Sequence, residues 1–206
     1  MNMYTLPIPY SEYNNGKGLN PNYLTILGDT LQHSLNDYNR VFALRVDLHL
    51  SGFELIDVNR KITRFIDSLK AQLKACELKR SKRGTRIYPN TLRYVWAKET
   101  GIKSKREHYH LLLLFNKDAY YRLGDYTFSE SLAYKIEQAW YGALSISKIN
   151  RKGLVHFPKN SSHYIDKNSN EYENQVDKVM YRGSYLCKNY SKVISPKVRS
   201  FGSSTK

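Results

Sequence analysis

Apolar residues along the chain switch between two spacings, and the switches divide it into helices and strands. Asn20-Pro21 opens the first helical stretch, with Pro at its first position and Leu24, Leu27, Leu31, Leu35 and Tyr38 recurring at helical intervals. From Val41 to Leu50 the period becomes two. Phe42, Leu44, Val46, Leu48 and Leu50 point one way, and Arg45, Asp47 and His49 point the other. This predicts a strand with a packed face and a polar working face. Asp57 is the expected cap of a second helix, whose stripe is Ile62, Phe65, Ile66, Leu69, Leu73 and Cys76. Residues Lys79 to Arg86 read as a basic loop after it. Leu92 to Glu99 and His108 to Phe115 are strands joined by the basic turn Thr100 to Arg106, and together they predict an antiparallel hairpin. Thr127-x-x-Glu130 reads as a capping box for a helix that buries Leu132, Ile136, Ala139, Trp140 and Ala143. Gly153 to Phe157 reads as a short strand, Asn160 to Asn170 as a loop, and Glu173 to Asn189 as a last helix before a basic tail.

Strand runs separated by helices, with one hairpin, predict an α+β fold with a central, mainly antiparallel sheet flanked by helices. Residues 1–40 read as an irregular arm and a helix, and residues 41–206 as the main domain. No repeat of the solenoid kind is visible.

Composition narrows the partner. The chain carries 33 Lys+Arg against 18 Asp+Glu, a formal charge of +15, so polyanions are attracted and nucleic acid is the expected ligand. The charge is concentrated: Arg60 to Arg106 holds 15 Lys/Arg and 3 Asp/Glu. The 18 tyrosines add rings that can stack on unpaired bases. A basic, Tyr-rich surface that serves solubility alone is the plainer alternative. With 41% hydrophobic residues the 206-residue chain can bury the core of one domain, and disorder by composition is excluded. The longest apolar run, Leu111 to Phe115, falls far short of the ~18 residues of a membrane span, so no membrane partner is expected. The first residues lack the basic and apolar regions of a secretory signal, which predicts a cytoplasmic protein. Cys76 and Cys187 cannot form a disulfide framework.

His108-Tyr109-His110 is the sharpest chemical signal. Positions two apart in a strand share a face, so both imidazoles can reach one cation. Glu99, across the turn on the adjacent strand, is the candidate third ligand. Two His and one carboxylate leave open positions for substrate oxygens. Taken alone, such a histidine pair is more often a plain polar face. Asp47 and His49 lie on another polar face, where Asp47 can also simply pair with Arg45.

A second motif is Tyr181-Arg-Gly-Ser-Tyr185-Leu-Cys-Lys188. On a continuous helix Tyr181, Tyr185, Lys188 and Lys192 would share one face. A phenol with pKa near 10 is a weak nucleophile unless a cation stabilises the phenolate, and Lys188 is placed to do so. A Tyr-rich amphipathic helix accounts for the motif equally well when it is read by itself.

Together the histidine strand and the later Tyr-x-x-Lys resemble the HUH endonuclease superfamily. The nearest likeness is to rolling-circle replication initiators of filamentous phages and prophages, the inovirus-type YagK/YfjJ-like family. The resemblance runs through Arg45-Val-Asp-Leu48, Trp96-Ala-Lys-Glu99, His108 to Asn116, Ala139-Trp-Tyr-Gly142, Tyr181 to Lys188 and Arg199-Ser-Phe-Gly-Ser203, and so covers most of the chain from Val41 onward. Tyr109 stands where the family has an aliphatic residue.

The resemblance implies that residues 41–206 are an HUH-type endonuclease domain. Tyr185 would attack a DNA phosphodiester, with Lys188 beside it and Tyr181 as a DNA contact or second nucleophile; Tyr190 is a remoter candidate. His108, His110 and Glu99 would hold Mg²⁺ or Mn²⁺. The products would be a 5′-phosphotyrosine and a 3′-OH at a single-stranded replication origin. Arg45, Lys82, Arg83, Arg86, Lys103, Lys105, Arg106, Lys192 and Arg199 are the expected DNA contacts. No phosphate-binding loop of the Gly-x-x-x-x-Gly-Lys-Ser/Thr type is present, so a host helicase is the expected partner for unwinding. The competing expectations are a single-tyrosine transposase or mobilisation relaxase with the same chemistry, a non-catalytic nucleic-acid-binding module, and a zinc hydrolase.

Overall fold

A computed structural model of the chain describes residues 6–14, 16–50, 60–101, 106–146, 151–190, 192 and 199–204. Its elements are α1 (Pro21–Asp37), β1 (Arg40–His49), α2 (Lys61–Lys82), β2 (Arg93–Thr100), β3 (Glu107–Asn116), α3 (Leu132–Leu144), β4 (Val155–His156), β5 (Ser162–Asp166), α4 (Tyr172–Ser184) and β6 (Phe201–Ser203). The fold is α+β, with a six-stranded sheet ordered β4-β1-β3-β2-β6 and β5 pairing β1 alongside β4. Every pairing is antiparallel.

The period-two pattern of the long strands sorts side chains between two cores. Phe42, Leu44, Val46 and Leu48 of β1 join Leu111, Leu113 and Phe115 of β3 against α2 and α3. The predicted stripe of α2, from Ile62 to Cys76, is buried in full. On the opposite face, Val41, Ala43, Val95, Leu112 and Leu114 meet α1 and α4. That second face is divided along its length. Its apolar half lies beneath α1 and α4, and the other half carries Arg45, Asp47, Glu99, His108 and His110, because the antiparallel register sets Asp47 opposite His110 and Glu99 opposite His108.

Several local expectations differ from the structure. The cap of α3 is Ser131, whose side chain accepts from the Tyr134 N–H at 3.1 Å. Thr127 donates instead to Asp125, and Glu130 is drawn to Lys79 at 3.2 Å and Arg83 at 2.9 Å. Lys79, Arg80 and Lys82 belong to the last turn of α2 rather than to a loop. Within the expected loop 160–170, Ser162–Asp166 forms β5 against Arg40–Leu44. The tail contributes β6, whose Gly202 lies so close to Trp96 that a Cβ would sit 2.7 Å from the ring. Helix α4 stops at Ser184, and Tyr185–Cys187 continue as a 3-10 turn. Lys188 leaves the turn with extended backbone, bridges to Leu19, and the Cys187 carbonyl accepts from Asn20 N–H at 2.7 Å. The Asp57 cap lies outside the described residues.

Candidate metal and nucleophile centre

The centre is assembled by strand register. His108 and His110 share a face of β3, and their Nε2 atoms lie 3.2 Å apart. Glu99 of β2 is 3% exposed, and its Oε2 is 3.5 Å from His110 Nε2. One ligand atom from each of Glu99, His108 and His110 lies within 4.8 Å of the others.

Hydrogen bonding assigns the tautomers. Asp47 Oδ1 sits 2.7 Å from His110 Nδ1, and a carboxylate can only accept, so Nδ1 carries a hydrogen and Nε2 is the nitrogen turned to Glu99 and His108. The Arg45 Nη2 at 3.0 Å from the same nitrogen is a second donor and makes no bond to it in this tautomer. His108 turns Nδ1 toward the Arg106 carbonyl at 3.5 Å, which leaves its Nε2 as an acceptor facing His110. A hydrogen shared between the two facing nitrogens accounts for their 3.2 Å separation in the metal-free protein, and a cation among them would displace it. The donor set therefore fits a divalent ion, and Asp47 behind His110 is the outer partner that orients a metal-binding imidazole.

The charges around the cluster are tightly compensated. Burial would raise the Asp47 carboxyl, but the His110 hydrogen bond and the Arg45 charge hold it down to about 2. Burial also opposes ionisation of Glu99, yet His110 and Lys188 hold it well below the usual carboxylate range. Burial and the neighbouring His110 push the His108 imidazole down, which favours the neutral form that ligates metals. Lys188 Nζ is 3.0 Å from Glu99 Oε2, and Lys192 Nζ is 3.6 Å from Oε1. Burial lowers the Lys188 ammonium, but contacts with Tyr185 and Glu99 outweigh it and raise the pKa.

Tyr185 heads the 3-10 turn and leans on this cluster. Its ring centre is 5.2 Å from the His110 ring, 4.5 Å from the Arg45 guanidinium and 3.5 Å from Lys188 Nζ. Tyr13 of the N-terminal arm closes the fourth side, with its ring edge-on at 5.0 Å. The arm is pinned there because Tyr13 N–H donates to Ser184 Oγ at 2.8 Å. Tyr181 is 41% exposed and touches Tyr13 at 6.2 Å between ring centres. Tyr190 lies beneath Lys17 at 4.8 Å.

The expected DNA contacts divide among several environments. Arg45 is 9% exposed and pairs with Asp47 at 3.0 Å. Lys192 turns inward and donates to the Lys188 carbonyl at 2.6 Å. Arg106 is an exposed residue beside β3, and Arg199 is exposed above Trp96 at 5.9 Å. Lys82, Arg83 and Arg86 stand at the far end of α2, Arg83 on Glu130 and Arg86 over Tyr88 at 4.9 Å. Lys103 and Lys105 lie outside the described residues. His49, which the sequence placed on a polar face with Asp47, is stacked on His108 at 5.8 Å, and the site also contains Tyr13, which the sequence pattern did not single out.

A three-layered α+β domain, helices on both faces of the sheet, with a histidine–carboxylate cluster and an adjacent tyrosine is the class this arrangement defines. The chain belongs to the YagK/YfjJ C-terminal domain family, whose model matches residues 8–204. It is 37% identical over 193 residues to "Uncharacterized protein YagK" of Escherichia coli (strain K12), covering 88% of this chain and 91% of that protein. To "Uncharacterized protein YfjJ" of the same organism it is 34% identical over 200 residues, covering 88% of this chain and 93% of the relative. No solved structure matches. Among the described residues, no helix is long and apolar enough to cross a membrane.

Proposed function

We propose that the protein is an HUH-type endonuclease that nicks and rejoins single-stranded DNA at a replication origin and so initiates rolling-circle replication. The observation that carries this reading is the convergence of Glu99, His108 and His110 within 4.8 Å, with the Tyr185 ring 5.2 Å from His110. A Mg²⁺ or Mn²⁺ ion held by those three residues would supply Lewis-acid neutralisation of the scissile phosphate.

The chain's own groups do the rest. Tyr185 Oη forms a bond to phosphorus as the P–O3′ bond breaks, and its proton passes to solvent. The 3′ oxygen leaves with the bond pair and takes up a proton, giving a 3′-OH and a 5′-phosphotyrosine. One phosphodiester replaces another, so the reverse reaction rejoins the strand without ATP. Lys188 and Arg45 over the ring stabilise negative charge developing on the phenol oxygen. Asp47 keeps the His110 hydrogen on Nδ1. A host helicase would supply the unwinding.

The test is denaturing electrophoresis after incubation with labelled single strands of the replicon that carries the gene, in Mn²⁺. Wild type yields a covalent protein–DNA band, and Tyr185→Phe and His108→Ala do not. A band that survives in Tyr185→Phe moves the nucleophile to Tyr181 or Tyr190. Tight binding without any adduct would leave a non-catalytic binding module.

A further inference from the structure

The sheet separates two basic regions. His110 and His108 precede the C-terminal residue of β3, Asn116, by six and eight positions, which at about 3.4 Å each places the cation cluster about 20–27 Å from that end of the strand. At that far end, two adjoining depressions of about 460 and 300 Å³ share Arg80, Ala119, Tyr120 and Tyr121 as lining. Together they make one groove that runs from Arg86 and Tyr88 to Phe128.

We propose that this groove is a second nucleic-acid site, which holds an unpaired strand by base stacking and is distinct from the cation cluster. Its rings are presented rather than buried: Tyr121 is 55% and Phe128 59% exposed, unusual values for side chains of this size. Guanidinium groups lie on the neighbouring rings, Arg122 on Tyr121 at 5.2 Å, Arg80 on Tyr120 at 5.7 Å and Arg86 on Tyr88 at 4.9 Å. Alternating rings and cations are what a strand offering a base face and a phosphate at each nucleotide requires.

The floor supplies a further handle. Tyr120 is 5% exposed, and its hydroxyl is buried without a hydrogen-bond partner, a cost that a ligand reaching it would remove. Charge selects a polyanion: residues 79–86 contain Lys79, Arg80, Lys82, Arg83 and Arg86 and no acid. Of the carboxylates along the groove, Asp118 pairs with Arg40, Glu130 with Lys79 and Arg83, and Asp125 accepts from Thr127, while burial pushes the Glu77 carboxyl toward its neutral form against the Arg80 charge. A duplex would present its phosphates but keep its bases from the rings. The occupant is therefore a single strand.

The test needs no strand cleavage, so its failure and that of the nicking reaction are separable. Fluorescence anisotropy in EDTA would follow a labelled oligothymidylate of about 20 nucleotides, enough to span such a site. The Tyr121→Ala/Phe128→Ala variant, altered only at exposed rings, is expected to bind it at least ten-fold more weakly while binding a duplex of equal length unchanged. Equal loss on duplex and single strand would overturn the stacking role, and wild-type affinity in the double variant would overturn the site. A thermal melt of the variant matching wild type would confirm that either result reports binding.

Discussion

At the scale of single residues, the centre depends on one hydrogen bond that no ligand list would contain. Asp47 at 2.7 Å fixes the His110 tautomer and so decides which nitrogen faces Glu99 and His108. Asp47→Asn keeps the shape but removes the charge, and outer partners of this kind carry about 10- to 100-fold in metal affinity. Titration calorimetry with Mn²⁺ should find a loss in that range; unchanged affinity would show that the orientation of His110 does not depend on the carboxylate. The same residue gives the metal-free protein a pH signature. Its folded pKa of about 2 lies below the ordinary value of about 3.9, so its contribution is present above pH 4 and is lost as pH falls toward 2. Wild type should therefore exceed Asp47→Asn by on the order of 2 kcal/mol in urea unfolding at pH 5. The gap should narrow progressively in acid, and a gap constant with pH would mean that the stabilisation is not electrostatic.

At the scale of elements, the tyrosine is aimed by the junction of α1 and α4. Gly183 lets the two helices approach closely, since a Cβ there would sit 2.9 Å from a Leu27 methyl. Leu27 is fully buried and cannot swing aside freely. Gly183→Ala should cost about 1–3 kcal/mol through overpacking, despite the helix propensity that alanine adds. Urea unfolding reads the loss, and a more stable variant would show that α4 can slide without strain. The elements legible from sequence are those with two long packed faces: β1, β3 and α2 follow their apolar periods because burial enforces the period. β5 buries only Ile165 and pairs along one edge, so its residues carry no alternation to read. The end of α4 was hidden for another reason. Val176, Val179, Gly183 and Leu186 continue one stripe across the change to a 3-10 turn, and the backbone departs to meet Leu19, a partner remote in sequence. The histidine pair and Glu99 were legible because a strand period and a hairpin place them. The Asp47–His110 bond needs β1 beside β3, which local pattern does not specify. Tyr13 lies on an arm with no period at all.

At the scale of the whole molecule, the described cations fall into groups with different surroundings within a chain of net charge +15. Arg45, Lys188 and Lys192 face inward, where they balance Asp47 and Glu99 and are largely hidden from solvent. The cations from Lys79 to Arg86 stand at the opposite end, where they would release counterions from the strand proposed to bind there. Salt dependence distinguishes the two, because each neutralised phosphate contributes about 0.7 to the slope of log affinity against log salt for a single strand. Arg80→Gln/Arg83→Gln/Arg86→Gln should flatten that slope by about 2 if all three contact phosphates. It should leave Mn²⁺ affinity unaltered, because none of the three approaches the cluster. Lys192→Gln should do the reverse: its ammonium is 3.6 Å from Glu99, so its loss changes metal binding while the slope for DNA stays within error of wild type. Anisotropy across a salt series and calorimetry with Mn²⁺ read both quantities for each variant. A flattened slope in Lys192→Gln would place DNA phosphates at the cation cluster without metal. An unchanged slope in the triple variant would remove the far end of α2 from the nucleic-acid surface.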